Sequence, residues 1–216
     1  MQSSERRKRA KQELREKIFD AARTLFAHEG YSAVTMRRIA EKIEYSATAI
    51  YTHFKDKEAL MHELCASDFL TLMSHFKKIF TIADPVERLR QLGALYADFA
   101  IKHPNHYRLM FMTPRPFDST VQAWIEKGNP QQDSYALLKA AVQACIEEGH
   151  FNQAHRDADL LAQALWSAVH GLVSLHITLH NDPWIEWRPL KKTLRTLLDA
   201  LVCGFTSKTA RPKQGN

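Results

Sequence analysis

Apolar residues recur at helical spacing along almost the whole chain, and this pattern limits the possible folds more than any other feature. Leu14, Ile18 and Ala22, for example, follow one another four positions apart, as residues on one face of a helix do. The same spacing returns in later segments as far as Leu201. The sequence does not show apolar and polar residues alternating between hairpin turns, the pattern that strands produce. It therefore predicts an all-α protein.

Residues suited to helix ends divide this pattern into separate helices. Thr35, Ser46 and Asp56 can cap helix N-termini, and Asp84-Pro85 offers a cap followed by a proline at the first helical position. Gly30 can end the first helix. We expect helices over roughly residues 14–29, 35–43, 46–54, 56–79, 84–103, 105–112, 118–128, 133–148, 157–180 and 187–205.

Residues 35–54 have the proportions of a helix-turn-helix, because two helices of about two turns each are joined there by Glu44-Tyr45. A helix that enters the major groove of DNA must be short and must present small or hydrogen-bonding side chains. The second helix offers Ser46, Ala47, Thr48, Ala49, Thr52 and His53. Arg37 and Arg38 on the first helix and Lys57 after the motif are placed to meet the phosphate backbone. One of the two arginines could instead only pair with Glu41 on the surface.

The positive charge of the chain is concentrated in the same region. Residues 1–60 hold 13 Lys or Arg and 9 Asp or Glu, whereas the remaining 156 residues hold 17 and 15. This distribution favours a polyanionic partner near the front of the chain. The basic run Arg6-Arg7-Lys8-Arg9 with Lys11 fits either a DNA contact or a solvated, disordered end.

The residues from Thr35 to Ala40 and from Ser46 to Leu60 together resemble the DNA-binding domain of the TetR (tetracycline-repressor-like) family, over roughly residues 12–62. The resemblance implies a dimeric repressor whose recognition helix is Ser46 to His53. It places Thr35, Tyr51, His53 and Lys57 at the family's usual phosphate-contacting positions. The family often has Gly in the turn, where this chain has Glu44. A left-handed conformation at that residue would cost on the order of 1 kcal/mol.

The later part of the chain is similar to a C-terminal subgroup of the same family, named for its Trp, His and Gly. The similarity rests on residues 103–111 and on Trp166-Ser167-Ala168-Val169-His170-Gly171. It implies a regulatory domain with an internal ligand pocket and a homodimer formed through the last two helices. We assign residues 1–10 to a basic flexible arm, 11–62 to the helix-turn-helix domain, 63–206 to the regulatory and dimerisation domain and 207–216 to a flexible tail.

Aromatic and methionine side chains of this second domain fit two roles, plain core and the wall of a pocket for an apolar ligand. Trp166 and His170 lie four positions apart and share a helix face. The candidate ligand-binding residues are Phe99, Tyr107, Met110, Phe111, Trp124, Tyr135, Trp166 and His170.

Other classes of site and partner are disfavoured. His176 and His180 have a spacing that can chelate zinc, but the sequence supplies no acidic or cysteine ligand beside them, so we expect neither metal nor cofactor. Three widely spaced cysteines favour a reducing compartment, and we expect a cytoplasmic protein. The uncharged stretch between Asp159 and Asp182 carries many polar residues, which argues against a membrane span.

These observations predict a ligand-responsive transcriptional regulator. Its dimer would bind a pseudo-palindromic operator in double-stranded DNA, with half-sites about one turn (~34 Å) or somewhat more apart. A small, largely apolar effector of unknown identity would release it. The alternative is an architectural or interaction protein that binds DNA without an effector, and activation in place of repression stays open. We do not expect an enzyme, because the sequence shows no nucleophile–base pair, phosphate loop or carboxylate dyad.

Overall fold

The computed structural model describes residues 2–113, 125–152 and 154–206, and within these residues the chain is helical without strands. The prediction of an all-α protein is confirmed. The helices are α1 (Gln2–Glu29), α2 (Met36–Lys42), α3 (Ala47–Tyr51), α4 (Lys57–Phe76), α5 (Pro85–Lys102), α6 (Pro104–Phe111), α7 (Ser134–Glu147), α8 (Ala158–Leu179) and α9 (Leu190–Thr206), with a 3₁₀ helix over Lys77–Thr81. The helix predicted from Asp118 and the tail predicted over residues 207–216 fall outside the described residues.

The predicted helix ends are confirmed by hydrogen bonds. Thr35, Ser46, Asp56 and Asp84 each accept a hydrogen bond from a backbone N–H two or three residues later, at 2.8 to 3.2 Å. These bonds satisfy N–H groups that a helix leaves without an internal partner. Gly30 ends α1 with a φ of 82°, a left-handed conformation that glycine adopts without steric cost.

The first helix begins earlier than the start near residue 14 that the sequence predicted, while the flexible arm assigned to residues 1–10 stays a prediction. The structure continues α1 back to Gln2. Arg, Lys, Ala, Gln and Glu dominate this stretch and are strong helix formers. Residues added to a helix that packing has already started need no new nucleus, so extending the helix is much easier than starting one.

The described chain forms two compact units. The first comprises the described residues of Met1–Thr71 and His103–Ile125, and the second those of Leu72–Lys102 and Glu126–Asn216. The division therefore falls inside α4, and α6 belongs with the N-terminal helices. A domain boundary after residue 62 stays a prediction.

The first unit buries one apolar core contributed by α1 to α4 and α6. Ile18, Phe26, Ile39, Ile50 and Leu60 are fully buried in it. Ile39 lies on α2 and Ile50 on α3, so each helix of the motif is anchored by its apolar side while its other side stays in solvent.

The second unit comprises the end of α4 from Leu72, the 3₁₀ helix, and α5, α7, α8 and α9, and these last four helices pack on one another. Gly93 allows close approach of α5 to α9, because a Cβ there would lie 3.0 Å from a methyl carbon of Leu198. By length and composition α8 could cross a membrane, although the core helices of soluble proteins pass the same test. Its residues Leu161, Leu165 and Val169 are buried among the other helices of the unit.

Candidate functional site

The turn between α2 and α3 is built around Glu44, the only described non-glycine residue with positive φ, at 61°. The N–H of Glu44 donates to the carbonyl of Glu41 at 3.2 Å, and the N–H of Tyr45 donates to the carbonyl of Ala40 at 3.0 Å. This pair of bonds is the Schellman motif, which ends a helix with one left-handed residue. The turn therefore has the usual geometry although it lacks the usual glycine, and the left-handed conformation considered for Glu44 is confirmed.

The recognition helix α3 is amphipathic. Ile50 is fully buried beneath it, whereas Ser46, Thr48, Tyr51 and Thr52 are exposed. Tyr51 has 54% of its surface in solvent, so both its ring edge and its hydroxyl can reach a partner. The exposed face thus consists of hydroxyl-bearing side chains that can donate to phosphate or base edges.

Ala47 and His53 lie at the edge of that face and are half-buried. Partial burial, with the nearby charges of Lys11 and Arg15, lowers the pKa of His53 from its ordinary value of 6.5. The ring is therefore neutral at physiological pH. Any phosphate contact that it makes there is a hydrogen bond from a neutral ring and not an ion pair.

Arg37 and Arg38 are exposed on α2 and both have acidic neighbours. Arg37 pairs with Glu41 at 3.0 Å, and Arg38 pairs with Glu29 at 3.3 Å. Exposed pairs of this kind contribute little stability, about 0–1 kcal/mol, so either arginine can exchange its carboxylate for a phosphate at small cost. Both alternatives considered for these residues therefore stay compatible with the structure.

Lys57 occupies a more constrained position than the sequence suggested. Its ammonium donates to the carbonyls of Tyr31 and Val34, both at 2.9 Å, and lies 4.3 Å from the centre of the Tyr31 ring. Lys57 thereby holds the loop between α1 and α2 against the start of α4. A phosphate contact by Lys57 stays a prediction.

Two further residues beside the motif escaped the sequence analysis. The ammonium of Lys17 lies 5.8 Å from the centre of the Tyr45 ring, and Tyr45 is exposed at the turn that precedes α3. Arg15 lies 4.8 Å from the Phe54 ring just after α3. The residues of each pair are 28 and 39 positions apart, so no local spacing in the sequence indicates either contact.

A buried ion pair joins α1 to α4 inside the first unit. The Arg23 guanidinium donates to Asp68 at 2.8 Å and to Asp20 at 2.7 Å, and Asp68 has no exposed surface. Burial raises the pKa of Asp68 to about 6, while the Arg23 charge opposes the rise, and the carboxyl is ionised at neutral pH. His106 on α6 lies 3.8 Å from the same carboxylate. Burial and the charges of Arg23 and His103 lower the pKa of His106 to about 4.

In the second unit, three polar aromatic side chains form a hydrogen-bonded triad. The Trp166 indole donates to the Tyr96 hydroxyl at 3.2 Å, and that hydroxyl lies 3.1 Å from Nδ1 of His170. Burial lowers the pKa of His170, so its ring is neutral at physiological pH. The sequence indicated Trp166 and His170 as part of such a group. It did not indicate Tyr96, because the helical spacing of this residue predicts an ordinary core position.

Tyr135 extends this polar group. Its ring centre lies 6.3 Å from that of Trp166, and its hydroxyl donates to Asp159 at 2.9 Å. Lys139 donates to the same carboxylate at 2.6 Å, and hydrogen bonds from Lys139 and Tyr135 lower the pKa of Asp159. Polar and aromatic groups of α5, α7 and α8 thus converge on one side of the unit.

The other ligand-binding candidates lie in cores. Phe99 in the second unit and Tyr107 in the first are fully buried, and Met110 is 2% exposed. Phe111 is half-buried and its ring lies 5.3 Å from that of Tyr107. Trp124 lies outside the described residues.

An open groove of about 550 Å³ lies between α5 and α9 in the second unit. Its lining includes the pair Arg90 and Asp199, 3.1 Å apart, and contains none of the candidate ligand-binding residues. The charged lining does not suit a largely apolar ligand. His176 and His180 face each other with ring centres 5.6 Å apart, and the described part of the chain contains no cluster of three or more metal-ligating side chains.

A short capped helix that projects hydroxyl-bearing side chains, joined by a tight turn to a second helix and followed by a separate helical unit, defines a helix-turn-helix regulator. Comparisons with known proteins agree with this class. Residues 18–64 match the family model described as bacterial regulatory proteins of the tetR family, and residues 89–201 match the tetracyclin repressor-like C-terminal domain. The second match alone covers more than half of the chain, so the protein belongs to the TetR family of transcriptional regulators, which are not enzymes.

Relatives and solved structures are consistent with this assignment. The HTH-type transcriptional regulator YerO of Bacillus subtilis is 25% identical over 206 residues, which is 93% of this chain and 68% of YerO. An HTH-type regulator of Staphylococcus aureus is 38% identical over 73 residues, 34% of this chain and 39% of the relative. The transcriptional regulator FadR of Bacillus subtilis, solved with stearoyl-CoA, shares the fold at a TM-score of 0.70 and 18% identity, over 88% of this chain and 98% of FadR.

Proposed function

We propose that the protein is a cytoplasmic repressor whose dimer binds a pseudo-palindromic operator and leaves it when a small, largely apolar effector binds the second unit. The observation that carries the DNA-binding part is the geometry of α2 and α3. A Schellman turn orders two capped helices, so the hydroxyl groups of Ser46, Thr48, Tyr51 and Thr52 project from one rigid face. A preorganised face loses little conformational entropy on binding. We assign DNA contacts to this face together with Thr35, Arg37, Arg38, Ala47, His53 and Lys57.

The exposed face of α8 supports the proposed homodimer through α8 and α9. Leu160, Ala164, Ser167, Leu175 and Thr178 recur three, four or eight positions apart on α8 and are all exposed. Leu160 and Leu175 have 62% and 50% of their surface in solvent. A contiguous row of exposed apolar and small residues is typical of a surface that another protein covers.

The glycines of the same helices point to close packing in this dimer. Among the described residues, a Cβ added at Gly171 or Gly204 would meet no atom within 4 Å. Glycine in a helix interior costs about 0.5–1 kcal/mol relative to alanine, and neither position needs it for packing within the chain. A second copy that approaches the helix backbone closely would account for both.

Substituting Gly171 tests the dimer. Gly171→Leu places a large side chain in the middle of the proposed interface, and we expect sedimentation velocity to show mainly monomer at micromolar concentration. Gln143→Leu adds the same side chain to the exposed surface of α7 and should leave the dimer intact. If Gly171→Leu stays folded by circular dichroism and dimeric, the dimer forms through another surface.

The triad of Trp166, Tyr96 and His170 supports an effector site in the second unit. Its neutral hydrogen-bonding groups, grouped with the ring of Tyr135, fit a ligand that is largely apolar with one polar group. We include Phe99, Tyr107, Met110, Phe111 and Trp124 as further candidates. The Trp, His and Gly at positions 166, 170 and 171 also support membership of the C-terminal subgroup named for them.

Fluorescence anisotropy tests the whole proposal. The protein is titrated with duplex DNA from upstream of its own gene and with a scrambled duplex, across a salt series. We expect the first to bind more tightly by roughly 10³-fold or more. A panel of apolar compounds that includes stearoyl-CoA, the ligand solved with FadR, is then screened for release, and Tyr96→Phe should weaken the response to the active compound. An absence of binding to either duplex at low salt would exclude the repressor function.

A further inference from the structure

The positive charge of the N-terminal region lies almost entirely outside the helix-turn-helix. Residues 12–60 contain eight Lys or Arg and eight Asp or Glu, so the motif and the helices that support it have no net charge at neutral pH. Residues 1–11 contain five cations and one acid. The surplus of four positive charges in the first 60 residues therefore belongs to these eleven positions alone.

Helix stability does not explain this concentration of charge. Two like-charged pairs lie one helical turn apart in this segment, Arg6 with Arg9 and Arg7 with Lys11, and such pairs disfavour a helix. Every residue from Ser4 to Glu13 is exposed, so these side chains do not build the core either. The cationic helix thus costs the free protein some stability, and binding to a polyanion would reverse that cost.

The contacts of α1 fix where this segment points. Lys17 lies against Tyr45, just before the recognition helix, and Arg15 lies against Phe54, just after it. Lys11 is close enough to His53 to lower the pKa of that histidine. Helix α1 therefore runs antiparallel to α3 where the two pass each other. Residues 6–9 lie beyond the end of α3 that His53 follows. At 1.5 Å per residue they extend about 3–8 Å past Lys11.

We propose that this helical extension, defined here as residues 6–11, binds phosphates of the duplex that flanks each half-site. The extension adds its contacts to those proposed for Arg37, Arg38 and Lys57, and it carries the whole charge surplus of the first 60 residues. The chemistry is that of exposed arginine and lysine side chains with phosphate oxygens, which arginine can grip with two parallel hydrogen bonds. Such contacts raise affinity without reading sequence.

The proposal rests on the DNA-binding function proposed above and is tested by charge removal. In one variant R6Q, R7Q, K8Q and R9Q are combined, and glutamine keeps the helix propensity nearly unchanged. The matched control combines K77Q, K78Q, K127Q and R156Q, four exposed cations of the second unit. Both variants lose the same total charge, so the control accounts for any effect of net charge alone. Circular dichroism checks that both remain folded.

The measurement is the dependence of the binding constant on salt, with the upstream duplex and the scrambled duplex as probes. If at least two of the four cations in each chain contact phosphate, the dimer loses four contacts and the slope of log K against log salt becomes shallower by about 4. Both duplexes should lose affinity by a similar factor, about 10-fold or more at moderate salt. The control should keep the slope of the unchanged protein.

The outcomes separate the inference from the function on which it rests. If the unchanged protein binds DNA and the two variants show equal slopes, the extension does not contact phosphate and the inference is wrong, while the proposed function stands. A loss confined to the upstream duplex also overturns it, because that result indicates base recognition. If the unchanged protein binds neither duplex, the proposed function itself fails.

Discussion

The two units of this protein differ in what they bury and what they expose. The first unit encloses an ion pair, with Arg23 and Asp68 at 7% and 0% exposure. The second unit keeps its charged pair Lys139 and Asp159 in solvent and exposes large apolar side chains, among them Leu160 at 62%.

This difference bears on the proposed dimer. In the first unit the buried pair of Arg23 and Asp68 joins α1 to α4. The second unit leaves apolar surface on α8 that a single chain does not cover, which fits a unit finished by a second copy.

Removing one partner of the buried pair should have the largest effect. Asp68→Ala leaves the Arg23 guanidinium buried without its main partner, and we expect a loss of about 3–5 kcal/mol in the free energy of unfolding. Chemical denaturation monitored by circular dichroism measures it. Lys139→Ala is the control in the second unit, where an exposed pair should cost about 0–1 kcal/mol. Equal losses for the two variants would remove the contrast between the units.

The contact between α5 and α9 provides the next test. Gly93→Ala would place a Cβ 3.0 Å from Leu198, at an overpacking cost of about 1–3 kcal/mol. The gain in helix propensity offsets about 1 kcal/mol of this, so we expect a net loss of up to about 2 kcal/mol. Gly171→Ala faces open space in the single chain and gains helix propensity. Thermal unfolding over a range of protein concentrations separates the two. A Gly171→Ala dimer that weakens while the monomer becomes more stable would show that the open face belongs to the partner.

Substitutions at Glu44, in the turn between α2 and α3, should change the free energy of unfolding by a smaller amount. Glu44→Gly relieves a left-handed conformation that costs about 1–2 kcal/mol, but it also makes the unfolded chain more flexible by about 0.4–1 kcal/mol. We expect a net gain of up to about 1 kcal/mol relative to Glu44→Ala, which keeps the strain and removes the same charge. Equilibrium denaturation of both variants measures the difference. A Glu44→Ala variant as stable as Glu44→Gly, or more stable, would mean that the left-handed backbone at this position does not limit stability.

The free energy of unfolding should depend on pH through His106. Its pKa of about 4 in the folded protein lies below the ordinary value of 6.5, so the unfolded chain binds more protons between these values. The contribution of His106 therefore reduces stability as pH falls from 6.5 towards 4. His106→Gln should lose less stability than the unchanged protein over that window, measured by urea denaturation at several pH values. Parallel curves for the two proteins would contradict the depressed pKa.

Local hydrogen bonds explain why so much of the fold could be predicted. The caps at Thr35, Ser46 and Asp56 bond to N–H groups three residues later, so the sequence contains both partners side by side. The helices over Ser134–Glu147 and Ala158–Leu179 begin within a residue of their predicted starts for the same reason. The start of α1 could not be predicted from apolar spacing, because the residues from Ser4 to Glu13 are all exposed.

The amino-acid sequence by itself determined the all-α class, the helix-turn-helix with its exposed hydroxyl groups, and the charge at the front of the chain. Only the tertiary structure decided that Lys57 holds a loop, that Arg23 pairs with Asp68 45 positions away, and that Tyr96 joins Trp166 and His170. The physical reason is the separation along the chain over which each interaction acts. Helix propensity and capping act within a few residues, whereas burial and ion pairing depend on which distant helices the core brings together.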